Sequence, residues 1–339
     1  MKIIFKKTLT ALVLASATTL VQAEDVTLRV HHFMSQKAPL HSKFLVPLAE
    51  KLSQASEGKI TLEIYDSMSL GGRPSDLYDQ AVDGAVEMSL TLPGYTPGRF
   101  NRTEVFELPF MMQSATATSK AFYDLVQNEL QEGEFEETKI LTSWVHGPGV
   151  IHSEEPINKL EDLSGKEMRG PTRLITDLLA ELGATPVGMP LPKIPENLSK
   201  GVISGAVVPW EVTPSIKLNE LVSNHTELGG DRALYTAAFV LAMNWDAYED
   251  MPEDLRTILD AETGKALAAF AAEVMTGADA FGRSTAEGSN IIELDQTEVD
   301  RWIAASQPVY DRWIERAEGE GFDGAAAIAQ AQELISANQ

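Results

Sequence analysis

The residue best placed to do chemistry in this chain is Arg169. It stands in Glu167-Met168-Arg169-Gly170-Pro171-Thr172-Arg173, where Gly170 and Pro171 break a short strand. Thr172 is a good N-cap for a helix over Arg173 to Leu182. A guanidinium there lies beside the free N–H groups of a helix start, and both favour an anion. Two readings are open from this segment: an anchor for a ligand carboxylate, or a surface ion pair. Arg173, one turn on, is either a second anion contact or the partner of a nearby acid.

Other candidates follow from one rule. In parallel α/β sheets, ligands bind outside the carboxyl ends of the strands. Beside Arg169, that picks out His31, His32 and Phe33, Leu92 to Tyr95, Trp144 to His146, and Trp210-Glu211. Aromatic rings there would cover the apolar body of a ligand while Arg169 holds its carboxylate in a two-pronged bond. Core packing is the competing reading for Trp144, Trp210, Tyr95 and Phe33. Glu211 either caps a neighbouring group or meets a ligand amine or hydroxyl.

Motifs for other chemistries are missing. The chain has no G-x-S-x-G elbow, Walker loop, G-x-G-x-x-G or H-E-x-x-H. Gly147-Pro148-Gly149 reads as a tight turn. His31 and His32 are adjacent, so on a strand they face opposite sides and cannot chelate one metal together. No metal and no cofactor is expected.

The elements that must position these residues alternate. Val26 to Val30 reads as a strand, and Leu40, Phe44, Leu48 and Leu52 mark a helix ending near Gly58. Ile60, Leu62 and Ile64 give a second strand, a helix capped by Ser75 carries Leu77 to Val82, and Val86 to Leu90 is a third strand. The order returns from residue 166: a strand to Arg169, a helix, a strand at Thr185 to Met189, a helix from Pro195, and a strand at Ala206 to Val208. Val82-Asp-Gly-Ala-Val86 and Ile203-Ser-Gly-Ala-Val207 occupy matching places in the two halves. Such β-α-β order predicts mostly parallel sheets covered by helices. Glu253 to about Glu287 reads as one long helical region that Gly264, Gly277 and Gly282 could bend, and Val299 to Ala317 with Ala325 to Ala337 as the last helices. Long helices after two α/β halves suggest a brace between lobes that move on a hinge.

Composition bounds the rest. Lys2, Lys6 and Lys7, the apolar run Leu9 to Leu20 and Val21-Gln22-Ala23 form an expected signal peptide over residues 1–23. No cysteine is present, so an exported fold must hold without disulfides, and periplasm is the expected compartment. No membrane anchor is expected. The formal net charge of −23 excludes a general nucleic-acid binder and argues against docking on anionic lipid.

Gly165-Lys-Glu-Met-Arg169-Gly-Pro, Leu182-Gly-Ala-Thr-Pro-Val-Gly-Met189, Leu198-Ser-Lys-Gly-Val-Ile-Ser-Gly-Ala206 and Pro209-Trp210 together resemble a DctP-type solute receptor of tripartite ATP-independent periplasmic (TRAP) transporters. Phe106-Glu-Leu-Pro-Phe110 and Gly71-Gly72 add to the resemblance, which runs from about Val26 into the C-terminal helices. It implies a type II-like, two-lobed α/β binding protein with an interlobe cleft and a long helix spanning both lobes. The expected division is residues 24–146 plus about 230–270 for the first lobe, 147–229 plus about 271–312 for the second, and 313–339 for the C-terminal helices. The resemblance also implies that Arg169 holds the ligand carboxylate. A monomeric, non-enzymatic receptor would then deliver a small organic acid to a small and a large membrane subunit. Sialic-acid receptors of the family carry a second arginine in the segment matching Gly147 to Ser153 and an asparagine near Val208, both absent here. Three alternatives stay open: an amino-bearing ligand held by Glu211, a receptor of an ATP-driven importer, and a periplasmic enzyme.

Overall fold

A computed structural model describes residues 25–230 and 232–339; the expected signal peptide lies outside them. The first half follows its alternating pattern. Strands β1 (Val26–His32), β2 (Ile60–Tyr65) and β3 (Met88–Thr91) are separated by helices α1 (Val46–Ala55) and α2 (Leu77–Val82). Ser75 does not cap α2, because a short 3-10 turn over Pro74–Asp76 precedes it. Helix α3 (Ala115–Leu125) then leads to β4 (Thr138–Val145), and only residues 146–148 separate β4 from β5 (Gly149–Ser153). The second half contributes β6 (Glu167–Gly170), α4 (Arg173–Glu181), β7 (Thr185–Gly188), α5 (Ile194–Ser199), β8 (Gly205–Pro209) and β9 (Asn224–Leu228). The chain returns through β10 (Ala238–Asn244), α6 (Trp245–Glu249), α7 (Glu253–Glu262) and α8 (Lys265–Ser284), and closes with β11 (Asn290–Leu294), α9 (Gln296–Gly319) and α10 (Gly324–Ala337).

Two sheets result, ordered β2-β1-β3-β10-β4 and β11-β9-β5-β8-β6-β7. They are mixed rather than simply parallel, for a topological reason. Strand β10 arrives from the second sheet and runs antiparallel to both β3 and β4. Strand β5 leaves the first sheet and runs antiparallel to β8 and β9. The chain thus passes between sheets at β4–β5, at β9–β10 and between α8 and β11. Short crossings of this kind suit a hinge.

The C-terminal helices tie the halves together. The single long helical region expected from Glu253 is two helices, because Gly264 takes a positive φ of 84° between them. Helix α8 packs on α3 and β4 of the first half and on the 3-10 turn Trp210–Ile216 that follows β8. Helix α9 lies on α4, and α10 on α3.

Two glycines within α8 differ in purpose. A Cβ at Gly282 would stand 2.0 Å from the Trp210 carbonyl oxygen, so only glycine lets the helix touch that turn. A Cβ at Gly277 would meet nothing within 4 Å. Gly282→Ala should therefore cost about 1–3 kcal/mol by overpacking, and Gly277→Ala should gain about 1 kcal/mol from helix propensity. Urea unfolding of the two variants checks the opposite signs.

Candidate functional site

Arg169 is the next-to-last residue of β6, which lies between β8 and β7 in the sheet. That position surrounds its guanidinium with backbone carbonyls. Nε donates to the Met189 oxygen just beyond β7 (2.8 Å), and Nη1 to the Val207 oxygen on β8 (3.1 Å). The side chain is 2% exposed, yet among the described residues no carboxylate lies within ion-pairing distance of it. Burial lowers its pKa from the ordinary arginine value, and the neighbouring Tyr95 and Tyr235 oppose that shift. A guanidinium still stays charged in a protein. The site therefore holds a buried, oriented cation with one edge uncommitted.

Around it lies a narrow cavity of about 40 Å³. Phe33, Tyr95, His146 and Glu211 join Arg169 in its lining, with Tyr235 and Phe239. The Phe33 ring meets Tyr95 edge-on at 5.3 Å, and Tyr235 meets His146 edge-on at 5.3 Å. Gly149 makes room for Tyr235, since a Cβ there would sit 1.9 Å from the ring. His146 Nδ1 donates to the Gly147 carbonyl at 2.5 Å, and burial pushes the imidazole pKa down to about 4, so the ring is neutral at pH 7. Glu211 is 6% exposed. Its backbone N–H donates to Asp279 Oδ1 of α8 (2.9 Å), while its carboxyl makes no hydrogen bond among the described residues. Burial first, and then the nearby Asp279, raise the Glu211 pKa well above the ordinary carboxylate value, keeping it protonated.

The remaining expected site residues lie elsewhere. His32 is buried, its Nδ1 accepting from the Met34 N–H (3.2 Å) and its Nε2 paired with His41 (3.0 Å), and His31 bonds Gln80 (2.6 Å). Trp144 is fully buried one layer behind the cavity, stacked on Phe239 at 5.6 Å and against Phe44 at 5.1 Å. Trp210 turns away. Its Nε1 donates to Glu227 (2.6 Å), its ring packs against both His152 and His225, and it lines a separate, wider groove of about 980 Å³. That groove is open and rimmed by charges such as Arg283, which pairs with Glu227, whereas the small cavity holds the unpaired cation. Arg173 is an ion-pair partner: Nη2 donates to Glu104 (2.9 Å) and to Asn101 (2.8 Å). Tyr235 and Phe239 were missed in the sequence. The signal for Phe239 was the apolar run Ala237 to Met243, which has no alternation; Tyr235 lies just before that run. Among the described residues no group of three or more histidines or acids could hold a metal ion.

Polar contacts from the two halves meet beside the cavity. The Leu191 N–H donates to the Tyr95 hydroxyl (3.1 Å). Thr172, whose side chain caps α4, donates to Glu107 Oε2 (2.8 Å), and the Ala238 N–H donates to Oε1 (2.9 Å). Glu104 accepts from Arg173 of α4 and Arg316 of α9. Burial pushes Glu107 up to about 7, and burial likewise raises Asp279 to about 7. A carboxyl whose pKa is higher folded than unfolded stabilises the fold fully below the unfolded value. That stability is lost as pH rises toward the folded value. Stability should thus fall between pH 4.5 and about 7 through Glu107. Glu107→Gln should flatten that part of the profile, by an amount on the order of 3 kcal/mol, in urea unfolding across the same window.

Comparison with known proteins places this geometry. The family described as bacterial extracellular solute-binding protein, family 7 (DctP) matches residues 30–316. The chain belongs to this family, the receptors of TRAP transporters. A TRAP solute-binding protein from Rhodoferax ferrireducens T118, solved with copurified benzoate, is 44% identical with a TM-score of 0.91, over 92% of this chain and 98% of that one. A marine-metagenome TRAP protein specific for aromatic acid ligands, solved with 3-hydroxybenzoate, is 42% identical with a TM-score of 0.91, over 94% of this chain and all (100%) of that one. The C4-dicarboxylate-binding periplasmic protein DctP of Rhodobacter capsulatus is 25% identical over 272 residues, 75% of this chain and 77% of that protein. The chain is therefore a two-lobed solute receptor and not an enzyme, and the alternative of an ATP-driven importer's receptor falls away with it. No helix among the described residues is long and apolar enough to cross a membrane.

Proposed function

We infer that this chain is a periplasmic receptor that captures a small aromatic monocarboxylate between its lobes and hands it to the membrane subunits of a TRAP transporter. The observation that carries this reading is the buried, unpaired Arg169. Leaving a charge buried without a partner costs several kcal/mol, so an anion is what the site lacks. The walls supply the rest: Phe33, Tyr95, Tyr235 and Phe239 are rings around a narrow space, suited to a flat ligand. The two proteins above 40% identity, with benzoate and 3-hydroxybenzoate bound, support the same chemistry. An amino-bearing ligand fits less well, because a protonated Glu211 offers an ammonium no counter-charge.

In this reading the first lobe comprises residues 24–146 plus about 230–270 and the second 147–229 plus about 271–312, with 313–339 as C-terminal helices bridging them. Residues 1–23 direct export, and the receptor acts as a monomer. Closure excludes water from the cavity and strengthens the Arg169–carboxylate contact. The closed surface then differs from the open one offered to the membrane partner.

Benzoate should raise the melting temperature of the wild-type protein, since a ligand at about 100 times its Kd adds roughly 2.7 kcal/mol. Arg169→Ala should lose about 2–5 kcal/mol of binding in titration calorimetry. Arg169→Lys should also weaken it, because an ammonium cannot keep both carbonyl bonds and fork a carboxylate. Unchanged affinity in Arg169→Ala would overturn the assignment.

A further inference from the structure

The proposed function uses Arg169 and the rings but leaves one polar group in the cavity without a task. Glu211 is buried, and its backbone is fixed by Asp279 at 2.9 Å, yet its carboxyl makes no hydrogen bond among the described residues. A polar group held in such a place without a hydrogen bond calls for a partner. No side chain around it supplies one. The His146 Nδ1–H is spent on the Gly147 carbonyl, and among the described residues neither the Tyr95 nor the Tyr235 hydroxyl makes a hydrogen bond to Glu211.

Its place in the cavity narrows the choice. Arg169 is held by the Met189 and Val207 carbonyls, and Glu211 is fixed through its backbone by Asp279 of α8. The two polar groups thus enter one cavity from different elements, with Phe33, Phe239 and Val212 among the apolar walls. The ligand that satisfies both has a carboxylate for Arg169 and a neutral hydrogen-bonding group for Glu211. A protonated carboxyl both donates and accepts, which matches a hydroxyl.

We propose that Glu211 is the specificity residue of this receptor, pairing with a ring hydroxyl, so that a hydroxylated aromatic acid is preferred over its unsubstituted parent. This rests on the aromatic-acid reading above. A site built to hydrogen-bond a ligand hydroxyl discriminates strongly against the analogue that lacks it, because its own polar group is then left unpaired.

The test is titration calorimetry of the full mature protein with benzoate and with its 2-, 3- and 4-hydroxy derivatives. One hydroxy isomer should bind at least about 10-fold more tightly than benzoate. Glu211→Met should bring that ratio to about one. Glu211→Gln, neutral and of the same size, should keep it within about threefold. Arg169→Lys should weaken both acids together and leave the ratio standing. A wild-type protein with no preference overturns the proposal, and so does a Met variant with the ratio intact or a Gln variant that loses it as fully as Met. Those outcomes leave the aromatic-acid reading in place; failure of all four acids to bind the wild-type protein would remove that reading and this proposal with it.

Discussion

Burying a guanidinium without a counter-ion is the constraint on which the rest of this structure turns. The penalty for removing such a charge from water is several kcal/mol even after relaxation. Hydrogen bonds to carbonyls offset part of it and fix the direction of what remains. The sheet order provides them: with β8 on one side of β6 and β7 on the other, Val207 and the residue just past β7, Met189, present their oxygens to Arg169. A strand at the sheet edge would have had one flank only. The interior place of β6 thus does two things at once, desolvating the cation and aiming its free edge into the cavity.

Polar contacts join the halves around this cation, beside buried apolar clusters that run across both. Tyr95 with Leu191, Glu107 with Thr172, and Glu104 with Arg173 are individually worth little net energy in a protein that can exchange them for water. A ligand shifts the balance between open and closed forms only through its differential contacts with the two. Helix α8 supplies the continuity, since Gly282 seats it on the Trp210 turn while its other end packs on α3 and β4.

Much of this was legible in the sequence, and what was not has a physical cause. Arg169 could be found because breakers and a cap bracket it: Gly170-Pro171 end the strand and Thr172 starts the helix. The strands β1 and β2 declare themselves through alternation, each with one face more exposed than the other. Strand β10 is buried at every position, so its run Ala238–Asn244 carries no period, and the wall residues Tyr235 and Phe239 around it stayed hidden. Trp144 and Trp210 sit where strands end, as expected, but proximity to a strand end does not say which way a ring points. Trp144 backs Phe239, and Trp210 follows the pull of Glu227 for its indole N–H. Arg173 differs from Arg169 for a related reason: it opens the helix and faces Glu104 from the other half, a pairing that only the tertiary fold creates. The antiparallel β5 and β10 were illegible because direction in a sheet depends on where the chain crosses.

The electrical character of the cavity is opposite to that of the whole molecule. The chain carries a formal charge of −23, but the acids nearest the cavity, Glu211 and Glu107, are held toward their neutral forms by burial. Among these groups Arg169 is the one that is fully charged. Exposed acids farther away are screened over a Debye length of about 8 Å at physiological salt, so they do little against a ligand once it is inside. They do act on approach, disfavouring multiply charged anions before any contact forms. Inside, a second carboxylate would meet no second cation and would have to remain buried and unmatched. On the proposed function, a single carboxylate on an otherwise uncharged, ring-shaped body is therefore the ligand type that suits both the long-range field and the cavity.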